Sequence, residues 1–179
     1  MRSLITIGLV LLISSCSSDN NPPADTIFLA AEQGRIEDLG RFVAQQRKID
    51  VADHCAWTPL MKAALNGQSE AVRMLLEAGA NPDHEDKGAY TAIMLAASNN
   101  HASTVRLLIE QGADIDHIEK TAGWTALIWS AKQGHAETVQ TLLENGADHS
   151  IRDLKGNSAL DWASANGHSG VVALLRQSN

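Results

Sequence analysis

Seven histidines and two cysteines are the residues of this 179-residue chain best suited to bind a metal, move a proton or attack a carbonyl. Their placement argues against all three. His84 and His117 stand 33 residues apart in matching stretches of sequence. Packed helices lie about 8–10 Å apart, too far for both imidazoles to reach one zinc at about 2.0–2.1 Å. His149 falls out of register with that pair. Cys55 follows His54 in a stretch expected to be an exposed loop. A reactive thiol needs a base and an oxyanion donor arranged around it, and one neighbouring histidine supplies neither geometry. The chain has no phosphate-cradling glycine loop, no His-Glu-x-x-His and no Cys-x-x-Cys. The sequence predicts no catalytic residue, no metal and no cofactor.

Aromatic residues are only 4% of the chain, so their positions carry information. Trp57, Tyr90 and Trp124 each stand immediately before a threonine, and Asn157 takes that place before Ser158. Large, stiff aromatics at a common position suit a recognition surface, because truncating such residues weakens interfaces most. Trp129 and Trp162 share a different position and are expected to pack internally.

The elements that position these residues come from one unit repeated. Trp57-Thr58-Pro59-Leu60-Met61-Lys62-Ala63-Ala64 returns as Tyr90-Thr91-Ala92-Ile93-Met94-Leu95-Ala96-Ala97, and again as Trp124-Thr125-Ala126-Leu127-Ile128-Trp129-Ser130-Ala131. A fourth copy is Asn157-Ser158-Ala159-Leu160-Asp161-Trp162-Ala163-Ser164. The hydroxyl residues are 33, 34 and 33 apart, and a valine (Val72, Val105, Val139, Val172) follows each by 14. Leu75-Leu76, Leu108-Ile109 and Leu142-Leu143 come next, then Gly79-Ala80, Gly112-Ala113 and Gly146-Ala147. Each unit therefore reads as a short inner helix opened by the hydroxyl residue, a glycine turn at Gly67, Asn100, Gly134 or Gly167, and an outer helix with one apolar stripe. A hairpin-like loop then leads to the next unit. No unit can bury its stripe alone, so the stack is the core.

This pattern of hydroxyl-Pro-Leu opening, Ala-Ala pair, Gly-His turn, Val-x-x-Leu-Leu helix and Gly-Ala close resembles the ankyrin repeat. The resemblance implies an all-α repeat solenoid of stacked helix-turn-helix units with hairpin-like loops over residues 25–179. Five units are expected, at 25–53, 54–86, 87–120, 121–153 and 154–179. The first is degenerate, and the first and last act as caps. By the resemblance, His101, His135 and His168 sit in the Gly-His turn, where the imidazole is structural. The family's histidine after Pro-Leu is replaced by Met61, Met94, Ile128 and Asp161, so apolar contact should hold the inner helices together. Gly88 stands one position away from the family's loop glycine, so its loop is expected to take a different turn. The resemblance also places Trp57, Tyr90 and Trp124 on the concave recognition face. With them come loop residues His54, Lys87, Asp53, Cys55, Asp86, Thr121 and Lys155, and inner-helix residues Asn66, Asn99, Gln133 and Asn166.

The first 24 residues read differently. Arg2 gives a positive start, and Leu4 to Ile13 is a nearly unbroken apolar run. As a helix this spans about 15 Å, half of a bilayer core, which marks a secretory signal and not a membrane span. Ile13-Ser14-Ser15-Cys16 resembles the lipobox of bacterial lipoproteins. That family is cut before the cysteine, which implies a signal peptide at 1–15, a lipidated Cys16, and a tether over 16–24. Ser17 lacks the Asp of the family's inner-membrane retention signal, which points to the periplasmic face of the outer membrane. The net charge of −7 disfavours nucleic-acid binding. The expected function is protein–protein interaction through the concave face by a monomeric, envelope-anchored protein, without catalysis. The alternatives are a periplasmic immunity or inhibitor protein for a toxin or enzyme, a redox-defence accessory using Cys55, and a structural assembly element linked through disulfide dimers at Cys55.

Overall fold

The computed structural model describes residues 25–45 and 48–177. The leader and Cys16 lie outside the described residues. Within them are ten helices and no strands. Five inner–outer pairs follow in chain order: α1 (Asp25–Glu32) with α2 (Ile36–Ala44), α3 (Pro59–Leu65) with α4 (Ser69–Glu77), α5 (Ala92–Ser98) with α6 (Ala102–Glu110), α7 (Ala126–Gln133) with α8 (Ala136–Glu144), and α9 (Ala159–Ala165) with α10 (Ser169–Gln177). Inner helices stack on inner helices and outer on outer, so the chain is a helix-turn-helix solenoid. None of the described helices is long and apolar enough to cross a membrane.

Small side chains let the inner row close up. Ala63, Ala64, Ala96, Ala97, Ala131 and Ala163 are fully buried, and every residue of α5 is buried. Met61, Met94 and Ile128 also lie at the centre of the core, filling with apolar contact the place of the family's histidine. The outer stripe of Val72, Leu75, Val105, Leu108, Val139 and Leu142 closes the core from the other side.

Three of the four hydroxyl residues cap as expected. The Thr58, Thr125 and Ser158 oxygens accept from Met61, Ile128 and Asp161 N–H at 3.2–3.3 Å. Thr91 differs: it makes no cap bond, and its buried hydroxyl has no partner among the described residues.

Histidines fasten each turn to the unit before it. His101, His135 and His168 place Nε2 at 3.0–3.1 Å from the carbonyls of Leu65, Ser98 and Lys132. The imidazole of the later unit lies across the turn of the earlier one and leaves no room for a side chain at Gly67 or Gly134, whereas Asn100 fills the equivalent place at φ +60°. A Cβ on Gly67 would stand 2.4 Å from the His101 ring, and one on Gly134 would stand 2.6 Å from that of His168. In the second unit Gln68 does the same work, donating to Glu32 O at 3.3 Å.

The loop containing Gly88 does not take a different turn. Ala89 adopts φ +62°, as Ala56 does at +65° and Gly123 and Gly156 do at +75° and +81°. Gly88 is small for another reason: the Tyr90 ring lies over it, 2.7 Å from where a Cβ would be.

Candidate recognition face

One carboxylate organises each hairpin loop. Asp53 Oδ1 accepts from the N–H groups of Cys55 and Trp57. Asp86 Oδ1 does the same for Gly88 and Tyr90, and Asp153 Oδ1 for Lys155 and Asn157. The loop with one extra residue uses Glu119 instead. Its longer side chain reaches Ala122 and Trp124 N–H through Oε1, and the Thr121 N–H and hydroxyl through Oε2. Burial alone would raise the Glu119 and Asp153 pKa values, but the donors around each outweigh it and hold both below the usual carboxylate range. Neighbouring loops are joined along the stack by backbone bonds from Lys87 N to Cys55 O, Lys120 N to Gly88 O and Leu154 N to Ala122 O.

The aromatic side chains tie these loops to one another. Trp57 Nε1 donates to Asp86 Oδ2 of the next loop at 3.0 Å. Trp124 and Trp162 Nε1 both donate to Asp153 Oδ2, at 3.2 and 2.9 Å. The Tyr90 hydroxyl lies 2.8 Å from Thr121 Oγ1, and burial pushes its pKa up. Tyr90 and Trp124 are not direct neighbours in a row. Trp129 stands between them, edge-on to Tyr90 at 5.5 Å and to Trp124 at 4.9 Å. Trp162 extends the line from Trp124 at 5.8 Å. The result is a continuous run of four rings along the third to fifth units, in geometry that aromatic quadrupoles favour.

Lysines lie on these rings. Lys132 Nζ is 4.2 Å from the Trp124 ring centroid and 4.9 Å from that of Trp162, and Lys62 Nζ is 4.7 Å from that of Trp57. Burial lowers the Lys132 pKa and nearby Lys155 lowers it further, against a smaller opposing pull from Asp153.

The site residues expected from sequence are distributed as follows. Trp57 is only 6% exposed, so most of its ring is already engaged within the fold. Tyr90 and Trp124 are half-buried. His54 and Lys87 are exposed at loop tips, and Gln133 is half-buried at the end of α7. Asn66 and Asn99 are exposed, with amides bonded to Lys62 O and Leu65 O. Trp129 and Trp162 were expected to be packing residues only. Trp129 is 7% exposed and Trp162 half-buried, and both belong to the aromatic line that sequence position alone assigned to Tyr90 and Trp124.

Cys55 departs from the exposed thiol expected. It is half-buried, packs against the core and is not free. The loop histidines are also engaged: His84 and His117 place Nε2 at 3.1 Å from Ala56 O and Ala89 O, the two strained alanines. Among the described residues no three His, Cys, Asp or Glu side chains gather as a metal-binding group.

The described residues thus form a stack of helix pairs with a run of rings along its inner helices and loops. The family pattern described as Ankyrin repeats (3 copies) matches residues 27–119 and again 94–179. The chain belongs to the ankyrin-repeat family. It is similar to Ankyrin repeat and SOCS box protein 3 of Bos taurus, at 34% identity over 59 residues, 33% of this chain and 11% of that protein. It is also similar to the mitochondrial disaggregase of Bos taurus, at 29% identity over 73 residues, 40% of this chain and 11% of that protein. The chain thus spans about a tenth of the length of these relatives.

Proposed function

We propose that this protein is a binding module that holds another protein on its concave face, has no catalysis of its own, and is anchored by a lipid at Cys16 to the periplasmic side of a bacterial outer membrane. Family membership supports protein binding. The observation that carries the choice of face is the line Tyr90–Trp129–Trp124–Trp162 with Lys132 on top of it. The loops that present this line are locked to one another by carboxylates and indoles. Side chains held in place before binding lose little entropy when a partner arrives.

Support for the anchor comes from sequence, in the apolar run followed by Ile13-Ser14-Ser15-Cys16. A single acyl chain holds a protein only marginally, and several hold it firmly. Cells fed an alkyne fatty acid should label this protein, and Cys16→Ser should remove the label and release the protein from membranes. Persistent labelling of the serine variant sinks the anchor. Affinity capture from detergent-solubilised envelope tests binding. A partner should be retained by the wild type and lost from Lys132→Gln with Lys62→Gln. Equal retention by that variant contradicts the concave-face reading.

A further inference from the structure

The protein is acidic overall, yet its charges are sorted by face. Arginines Arg41, Arg73 and Arg106 lie on outer helices and meet carboxylates at 3.4, 3.8 and 3.9 Å. Lysines instead occupy the inner helices and loops: Lys62 in α3, Lys132 in α7, and Lys48, Lys87, Lys120 and Lys155 in loops. Lys120 pairs with Glu85 at 2.9 Å. Among the described residues, no carboxylate lies within ion-pair distance of Lys62, Lys87, Lys132 or Lys155.

The nearby acids are already occupied. Asp53, Asp86 and Asp153 accept backbone N–H groups, and Asp86 and Asp153 accept indole N–H groups as well. Asp161, the one acid on inner helices α3, α5, α7 and α9, is taken by Ser158 and Arg152. The Lys132 ammonium thus rests on two indoles, repelled by Lys155 and attracted by Asp153 from beyond ion-pair distance, while the Asp153 oxygens already serve N–H donors. An ammonium has three donors and no acceptor, so a carboxylate arriving from outside meets unfilled demand. It would also offset both the burial and the repulsion that disfavour this charge.

We propose that the concave face takes an extended acidic segment of its partner, with one carboxylate at Lys132 and Lys155 and a second at Lys62. This rests on the concave-face reading above and adds the chemistry of the partner. Inner helices stack about 8–10 Å apart, so Lys62 and Lys132, two units from each other, stand roughly 16–20 Å apart. An extended chain at about 3.3 Å per residue covers that in about five or six residues. Between the two sites the segment passes the half-buried Tyr90 ring, which carries no charge and suits an apolar residue. The net negative charge elsewhere repels an acidic segment from the convex face and favours this one docking mode.

A random dodecapeptide display library selected against the full protein in detergent is the test. Enriched peptides should carry two Asp or Glu residues five or six apart with apolar residues between them. Their affinity should fall about tenfold for Lys132→Gln and for Lys62→Gln, and change less than about twofold for Arg73→Gln and Arg106→Gln on the convex side. Thermal unfolding of each variant confirms that it remains folded. Peptides without acids that still depend on Lys132 overturn the acidic segment and leave the concave face standing. Peptides sensitive only to the convex variants overturn both. Failure to enrich any peptide overturns the proposal as well.

Discussion

The loop carboxylates allow one chemical change to be made in three places with graded consequences. Asp53 accepts two backbone N–H groups, from Cys55 and Trp57. Asp86 accepts the equivalent pair and adds the Trp57 indole. Asp153 accepts its own pair and two indoles, from Trp124 and Trp162. Replacing each with alanine strands two, three or four donors. At about 1 kcal/mol for each donor left without its acceptor, the losses should be roughly 2, 3 and 4 kcal/mol for Asp53→Ala, Asp86→Ala and Asp153→Ala. Urea unfolding followed by far-ultraviolet circular dichroism measures the series. Indole N–H resonances assign the cause: Trp57 should shift in Asp86→Ala, Trp124 and Trp162 in Asp153→Ala, and no indole in Asp53→Ala. A cost set by place in the stack would instead peak at the central loops. Equal losses, or the largest loss at Asp53, would refute the donor-count reasoning.

Thr91→Val should be neutral or stabilising by up to about 1 kcal/mol, because the hydroxyl it removes is buried without a partner. Thr125→Val should cost about 1 kcal/mol, since Thr125 caps α7; thermal unfolding of the pair reads the difference. Gly134 and Gly167 have φ +81° and +74°, but only Gly134 lies beneath a ring. Gly167→Ala should cost about 1–2 kcal/mol for backbone strain. Gly134→Ala should cost about 1 kcal/mol more, as His168 is displaced from Lys132 O; equal costs in denaturant melts would refute the contact. Acid should destabilise the protein in two steps. Burial holds the His135 pKa below its ordinary value, so the unfolded chain takes up that proton first and stability declines as pH falls below about 6.5. The depressed Glu119 and Asp153 carboxyls add a second decline below about pH 4, through the ordinary carboxylate range and down to their folded values. Melting temperature against pH should show both steps, and His135→Gln should remove the first.

The fold was legible because its signals are periodic and local. Ala-Ala pairs, capping hydroxyls, turn glycines and the Val-x-x-Leu-Leu stripe each follow from the geometry of one helix, and repetition multiplied them. What escaped the sequence depends on how one unit meets the next. Asp53, Asp86, Glu119 and Asp153 recur at the repeat period, yet nothing local shows that they collect turn N–H groups and indoles from a neighbouring unit. The change from Asp to Glu where the loop gains a residue is a length correction that shows its meaning only once the turn is seen. Gly88 looked like a displaced turn glycine because the Tyr90 ring above it is set by folding. Trp129 and Trp162 looked like internal packing because helix position does not show which rings of neighbouring units will touch. The aromatic row was visible at Tyr90 and Trp124, but its continuity was not, and Trp57 is more enclosed than its matching position implied.

The central claim is that another protein sits on the concave face, and site-specific photo-crosslinking in living cells tests it most directly. A photoreactive side chain placed at Gln133, Asn99 or Asn66 probes the inner face, and one at Arg73 or Arg106 probes the outer helices. The account predicts one crosslinked protein from the inner positions, diminished by Lys132→Gln with Lys62→Gln, and none from the outer ones. Crosslinks from the outer positions alone, or none from any position in cells where the protein is folded and abundant, would contradict it.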